Sequence, residues 1–245
     1  MRPGAISPAV RRAVATEWAF RAAAERAQEA RFEHLAAQLT ALGATAATVD
    51  HARAAAADEA RHAVLCAETA ERFERVPTPE APLHTFVLPR ATARARLLYE
   101  LVSVGCVTET LNACVLTATL ERVTDPTVRR TVHTILRDEV RHSRLGWAWL
   151  HEERNRLDVA FLGPLLPGML AATFRAEFFV PVADDPEQEA LAAFGNVAAS
   201  ERLPLAMAVL DDVVFPGLDA AGVPTEAARL WRRGMVSSQP GEGPV

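Results

Sequence analysis

The sequence lacks lysine altogether and contains one tyrosine and three cysteines among its 245 residues. Cys66, Cys106 and Cys114 are too few for a disulfide framework, and no two of them have the Cys-x-x-Cys spacing. Arginine supplies all of the basic charge, no strongly basic stretch occurs, and the net charge is −5. Nucleic acid is therefore not an expected partner, because binding phosphates requires a concentrated basic surface.

Long apolar runs are also absent. No segment reaches about 18 uninterrupted apolar residues, so no membrane-spanning helix is expected. The first eight residues, Met-Arg-Pro-Gly-Ala-Ile-Ser-Pro, contain no apolar run of signal-peptide length. With 50% apolar and 23% charged residues, the composition is that of a globular protein, and the expected location is the cytoplasm.

The residues that are abundant predict an all-α protein. Ala, Leu, Arg and Glu dominate, and runs of β-branched residues are short. Gly43 favours a helix end, while Thr45 and the Asp125-Pro126 pair favour helix starts. The predicted helices cover residues 8–42, 46–75, 91–122, 126–156, 165–179, 187–214 and 225–235.

The order of these helices indicates their connectivity. The first and second helices are joined tightly, as are the third and fourth, whereas a connection with four prolines, residues 76–89, separates the pairs. One long crossover between two helical hairpins is typical of a class of four-helix bundles. We therefore predict a single domain over residues 1–236, with a bundle at about 8–156, accessory helices at about 160–236 and a disordered tail at 237–245.

An internal repeat carries the chemistry. Asp58-Glu59-Ala60-Arg61-His62 on the second helix recurs as Asp138-Glu139-Val140-Arg141-His142 on the fourth, 80 residues later. Residues three apart lie on one helix face, so each Glu and His can bind a metal together. Each Glu is the fourteenth residue after its proposed N-cap, Thr45 or Asp125. The two motifs are therefore predicted to lie at the same depth.

A dinuclear carboxylate site also needs a Glu from each of the other two helices. On the third helix, Glu109 lies 30 residues before Glu139, whereas Glu100 and Glu121 are out of register. On the first helix, Glu29 lies 30 residues before Glu59, and Glu25 lies 34 before it. Internal symmetry therefore favours Glu29. Carboxylate and imidazole ligands suit iron or manganese.

Further residues mark a resemblance to a known family. The first helix carries a pattern of Trp18, Glu25, Phe32 and Leu42-Gly43-Ala44. The second half of the pattern is Gly105-Cys106-Val107-Thr108-Glu109-Thr110, followed by Thr124-Asp125-Pro126 and then by the second motif. Over about Trp18 to Leu150, the chain resembles the ferritin-like superfamily of di-iron carboxylate proteins, and more narrowly bacterial ferritin-like domain proteins. The resemblance implies that Glu25, rather than Glu29, is the metal ligand. The expected ligands are Glu25, Glu59, His62, Glu109, Glu139 and His142, with Glu29 as the alternative to Glu25.

The aspartates that precede the two Glu residues are expected to support the site. A histidine that binds a metal usually donates its other N–H to a carboxylate or carbonyl. We expect Asp138 to meet His62 and Asp58 to meet His142. The alternative is that each aspartate is solvated or forms an ion pair with Arg61 or Arg141.

Two features concern space around the site. Three small residues lie within one helical turn of the expected ligands: Ala22, Ala55 and Ala56. They could leave a cavity beside the metals or allow the helices to pack closely, and we favour close packing. The helices after residue 157 are expected to cover one end of the bundle and shape a substrate pocket with Arg175, Glu177, Glu201 and Arg202.

The resulting interpretation is a metal-dependent oxidase or oxygenase. Two iron ions would activate O2 to oxidise a small molecule, and Fe/Mn or Mn/Mn centres are the alternatives. The possible partners are an electron donor and a second copy of the chain in a homodimer. The first alternative is a ferroxidase or iron store. The second is a metal-free bundle used for interaction.

Overall fold

The computed structural model describes residues 6–79, 88, 91–176 and 187–237, and these residues form helices and connecting turns without a β-strand. The α-helices are α1 (Pro8–Ala41), α2 (Ala46–Glu71), α3 (Ala93–Leu101), α4 (Thr110–Arg122), α5 (Pro126–Glu153), α6 (Leu166–Ala176), α7 (Gln188–Ala192), α8 (Ala199–Val209), α9 (Phe215–Ala220) and α10 (Glu226–Ser237). The all-α prediction is confirmed.

Side-chain caps explain where the long helices begin. The Thr45 hydroxyl accepts a hydrogen bond from the Thr48 backbone N–H, and the Asp125 carboxylate accepts two, from Thr127 and Val128. These groups would otherwise lack a partner within the helix. Both predicted helix starts are confirmed. Gly43, with a φ of 69°, follows the end of α1.

The third long segment differs from its prediction. A continuous α-helix was expected over residues 91–122, but a π-helix, Val102–Glu109, separates α3 from α4. All eight of its residues are buried. The stretch Ala93–Arg122 is long and apolar enough to cross a membrane, yet 83% of its most apolar window is buried inside the protein. That degree of burial is typical of a core helix.

Four long segments surround the core. Helix α1 packs on α2, α2 packs on α5, and α5 packs on α4 and on the π-helix, while α3 returns to α1. The buried apolar residues form two clusters, one including Phe32 and Leu145 and the other including Ala22 and Ile135. On α1, α2 and α5, buried polar residues lie between the two clusters. The fold thus places a polar layer across an apolar core.

The C-terminal region contains the main error of the sequence prediction. A single helix over residues 187–214 was wrong, because α7 ends at Ala192 and Gly195 has a φ of 89°, a conformation that L side chains rarely adopt. A second π-helix, Leu210–Val214, joins α8 to α9, and a 3-10 helix, Val159–Leu165, precedes α6.

Some sequence predictions fall outside the described residues. They are most of the 76–89 connection, the end of the predicted 165–179 helix, and the tail after Ser237, which itself ends α10. Within the described part, α7 packs on α1, α8 on α4 and α6 on the first π-helix. The accessory helices therefore lie against the segments that carry Glu25 and Glu109.

Candidate metal centre

Two overlapping groups of side chains occupy the polar layer. Within each group, one donor atom per residue lies within 4.8 Å of all the others. The first group comprises Glu25, Glu59, His62 and Glu139, and the second comprises Glu59, Glu109, Glu139 and His142. Glu59 and Glu139 belong to both groups. Six side chains thus form one cluster, in which the carboxylates of Glu59 and Glu139 are common to both groups.

The group is closed to solvent. Glu59 and His62 are 0% exposed, and Glu109, Glu139 and His142 are 2% exposed or less. The Glu25 side chain retains 12% exposure. Buried carboxylates that lie together repel one another and are poorly solvated, so they need a cation or protons.

Both histidines face the carboxylates with the same ring nitrogen. Nδ1 of His62 lies 3.3 Å from Glu59 Oε2, and Nδ1 of His142 lies 3.0 Å from Glu59 Oε1 and 3.1 Å from Glu139 Oε2. Each Nε2 points the opposite way. It lies 3.2 Å from Asp138 Oδ2 for His62 and 3.3 Å from Asp58 Oδ2 for His142. A neutral imidazole that donates Nε2–H to the aspartate presents a free electron pair at Nδ1.

The aspartates contact arginines as well as histidines. Arg61 donates to Asp58 Oδ1 and Asp138 Oδ2 at 2.7 and 2.6 Å, and Arg141 donates to Asp58 Oδ2 and Asp138 Oδ1 at 2.8 and 2.7 Å. The alternatives that the sequence left open, a histidine contact or an arginine ion pair, therefore occur together. Each arginine links α2 to α5 and fixes both carboxylates behind the imidazoles.

The pKa values follow from burial and crowding. Burial alone lowers the pKa of His62 and of His142, but hydrogen bonds to the glutamates outweigh it and raise these values to about 11 and about 12. Burial and the charge of Glu25 raise the pKa of Glu59 to about 8. Burial also raises the pKa of Asp138, yet Arg137, His62 and Arg61 hold it well below its usual range. Without a metal ion, the group therefore retains protons on its histidines.

On α1, Glu25 and not Glu29 lies with the other candidate ligands. Glu29 forms an ion pair with Arg26 at 3.1 Å on the surface of α1. It lines a groove of about 450 Å³ with Glu33 and several alanines of α1 and α2. The reason is that α1 continues 16 residues beyond Glu25, whereas α4 continues 13 beyond Glu109. The two helical hairpins are thus not equal in length, and internal symmetry selected the wrong residue.

Free space at the site is small. A cavity of about 10 Å³ touches Glu25, Glu59, Glu109 and Glu139 and is otherwise lined by Ala24, Gln28, Thr108 and Asn112. It has room for one water molecule. Ala22, Ala55 and Ala56 are buried in the apolar clusters, as the close-packing interpretation predicted.

The four residues that were expected to shape a substrate pocket are not found together around one. The Arg175 and Glu177 side chains lie outside the described part of the chain, and Glu201 forms an ion pair with Arg122 at the surface. Arg202 is buried and contacts Glu17 on α1. Sequence reasoning missed Arg21 and Gln28. A signal was available, because each lies one helical turn from Glu25.

The donor set fits a metal ion. Four carboxylates and two imidazole Nδ1 atoms converge in a buried volume, and oxygen with imidazole nitrogen suits iron, manganese or zinc. The group therefore could hold metal, although its atoms do not select one element. No family model, curated protein or solved structure matches this chain.

Proposed function

We propose that the protein is a ferritin-like di-iron carboxylate oxidase or oxygenase that uses O2 to oxidise a small molecule. The observation that carries the proposal is the pair of overlapping ligand groups that share Glu59 and Glu139. The ring of four long segments, with both Glu-x-x-His motifs facing inward, supports a ferritin-like bundle.

Two iron ions held there would supply the two-electron reduction of O2. Glu59 and Glu139, which belong to both groups, would hold the ions together with Glu25 and His62 from one group and Glu109 and His142 from the other. Asp138 and Asp58 hold the imidazoles so that Nδ1 faces the metal. The apolar clusters on both sides exclude water, which strengthens every electrostatic interaction inside. An electron donor is required for repeated turnover with most substrates.

The second candidate is a ferroxidase. The cavity of about 10 Å³ favours it, because this space admits water or O2 but not an organic molecule. A ferroxidase needs only Fe(II) and O2 as reactants. Fe/Mn and Mn/Mn centres are further alternatives within the same ligand set.

Metal loading tests these proposals. The protein is loaded with Fe(II) under anaerobic conditions, its iron is counted, and O2 is then admitted. We expect two ions per chain and slow oxidation of added excess iron. Rapid uptake of many ions per chain would instead identify iron storage, and the absence of bound iron or manganese would identify a metal-free interaction bundle.

Glu25→Ala and Glu29→Ala provide a matched pair on α1. Glu25→Ala removes a ligand from one position and is expected to reduce the stoichiometry toward one ion per chain. Glu29→Ala removes only a surface ion pair with Arg26 and is expected to leave the stoichiometry unchanged. Equal stoichiometry in both variants would contradict the assignment of Glu25.

A further inference from the structure

A buried pair of arginines lies beside the candidate metal centre. Arg21 on α1 is 7% exposed and Arg202 on α8 is 5% exposed. Both approach the same oxygen, Glu17 Oε1, with Arg21 Nη2 at 3.2 Å and Arg202 Nη1 at 3.6 Å. Two guanidinium groups therefore share one carboxylate among the described residues. A buried charge of this kind needs a counter-ion.

Both arginines retain unused donors. Arg21 donates to Glu17 and, from Nη2, to the Gly195 carbonyl at 2.8 Å, and its guanidinium lies 4.7 Å from the centre of the Trp18 ring. These contacts hold the side chain in place. Within the described part of the chain, Arg21 Nη1 and Arg202 Nε are nevertheless buried without a hydrogen-bond acceptor. Burial also lowers the pKa of Arg202, and the charge of Arg21 adds to that effect.

A second cavity borders both Arg21 and the candidate metal ligand Glu25. It has a volume of about 20 Å³, and its lining includes Arg21, Ala24, Glu25 and Asn112. The last three residues also line the cavity at the metal ligands. Arg21 precedes Glu25 by four residues, which is about 6 Å along the helix axis. A group bound by Arg21 would therefore lie one helical turn from a metal ligand.

We propose that Arg21, assisted by the charge of Arg202, binds the carboxylate group of a small organic acid, and that such acids are the substrate class of the neighbouring centre. The second part rests on the proposed function. A planar carboxylate matches the fork of a guanidinium. Its single charge would balance the two arginines that share Glu17 among the described residues.

Binding is tested on metal-free protein, so that the result does not depend on catalysis. Acetate labelled with ¹³C is titrated into the protein, with chloride and inorganic phosphate as comparisons, and the carboxyl resonance and the Tm are followed. We expect saturable acetate binding that raises the Tm, and at least tenfold weaker binding in Arg21→Gln and in Arg202→Gln. Arg137→Gln, which changes an arginine that is 64% exposed, is expected to bind acetate normally.

Several outcomes would overturn the proposal. Acetate binding that does not saturate, or that is equal in the parent and in folded Arg21→Gln, would show that the arginines only join α1 to α8. Chloride or phosphate binding as tightly as acetate would exclude a carboxylate site. Circular dichroism shows whether Arg21→Gln is folded, and Arg202→Gln provides the same test if it is not.

Proximity to the metal centre needs a separate measurement. In protein loaded with Mn(II), relaxation of the bound acetate carboxyl carbon reports its distance from the ion. Strong relaxation that disappears in Arg21→Gln is expected. Acetate that binds without enhanced relaxation, in protein that holds Mn(II), would refute the substrate assignment alone. Failure to bind Mn(II) would instead count against the proposed function.

Discussion

Gly105 of the first π-helix and Gly146 of α5 bring two backbones into direct contact. A Cβ atom added to Gly105 would lie 2.7 Å from Gly146 Cα, and one added to Gly146 would lie 2.5 Å from the Leu101 carbonyl oxygen. Gly105 precedes Glu109 by four residues, and Gly146 follows His142 by four. The absence of two side chains therefore sets the distance between the segments that carry these two candidate ligands.

Gly146→Ala tests this contact. The added methyl group meets backbone atoms, which cannot rotate away, so α5 must shift. We expect a loss of about 1–3 kcal/mol in the free energy of unfolding, measured by urea denaturation. Gly168→Ala on α6 is the matched control, because nothing lies within 4 Å of its added Cβ, and it should be neutral or stabilise the protein by up to about 1 kcal/mol. Equal stability of the two variants would contradict the close-contact interpretation.

Asp138→Asn tests the support of His62. The substitution retains shape but removes the charge that orients the imidazole and pairs with Arg61 and Arg141. We expect metal affinity to fall by roughly 10- to 100-fold, measured by competition with a chelator. The symmetric Asp58→Asn variant should also lower the metal affinity, because Asp58 contacts His142. Affinity equal to that of the parent protein in both variants would show that the aspartates serve only the arginines.

Much of this arrangement was predictable from local sequence signals. Thr45 and Asp125 marked helix starts by their capping chemistry, and the repeated motif placed Glu59 and Glu139 at matched depth along two helices. Periodicity along one helix is a local property, so it could be read directly. The inward direction of both motifs then follows from the apolar residues around them.

Other features depend on contacts between distant residues. The choice between Glu25 and Glu29 depends on the unequal lengths of two hairpins, which i,i+4 spacing does not reveal. The π-helix is rich in valine and contains Gly105. These residues are weak helix formers but do not specify a π-helix, and the segment makes its close contact with Gly146 of α5. The Arg21–Arg202 pair joins residues 181 positions apart, and no local pattern predicts such a meeting.

Asp125 provides a pH-dependent prediction away from the metal centre. Burial raises the pKa of its carboxyl, but Arg72 and the N–H groups of Val128 and Thr127 outweigh burial and lower the pKa below its ordinary value. The resulting stability is present above the unfolded-state pKa, near 4, and is lost as the pH falls through the folded-state value.

We expect Asp125→Ala to lower the free energy of unfolding at pH 7 by about 1–2 kcal/mol. The difference from the parent protein should shrink on acidification. Thermal unfolding between pH 7 and pH 3 measures it. Asp50→Ala, which changes an exposed aspartate, is the control and should show little effect. A deficit for Asp125→Ala that does not depend on pH would indicate that the carboxylate charge contributes nothing.

Glu59→Gln should separate stability from metal binding. Glu59 is fully buried and belongs to both ligand groups, so its charge is repelled by Glu25 and is costly to bury. Its pKa is raised to about 8, so at pH 7 the folded state binds a proton that the unfolded state releases. Stability therefore falls as the pH rises from the unfolded-state pKa toward 8.

The neutral amide removes this penalty and can still accept a hydrogen bond from His62. In metal-free protein at pH 7, Glu59→Gln should raise the free energy of unfolding by about 1–3 kcal/mol, measured by urea denaturation with a chelator present. The same variant should lose the binding of at least one ion, because a shared anionic ligand is gone. Glu29→Gln, at the surface of the same layer, should change neither quantity. A Glu59→Gln protein that is less stable without metal and binds two ions normally would show that the carboxylate serves the fold rather than a cation.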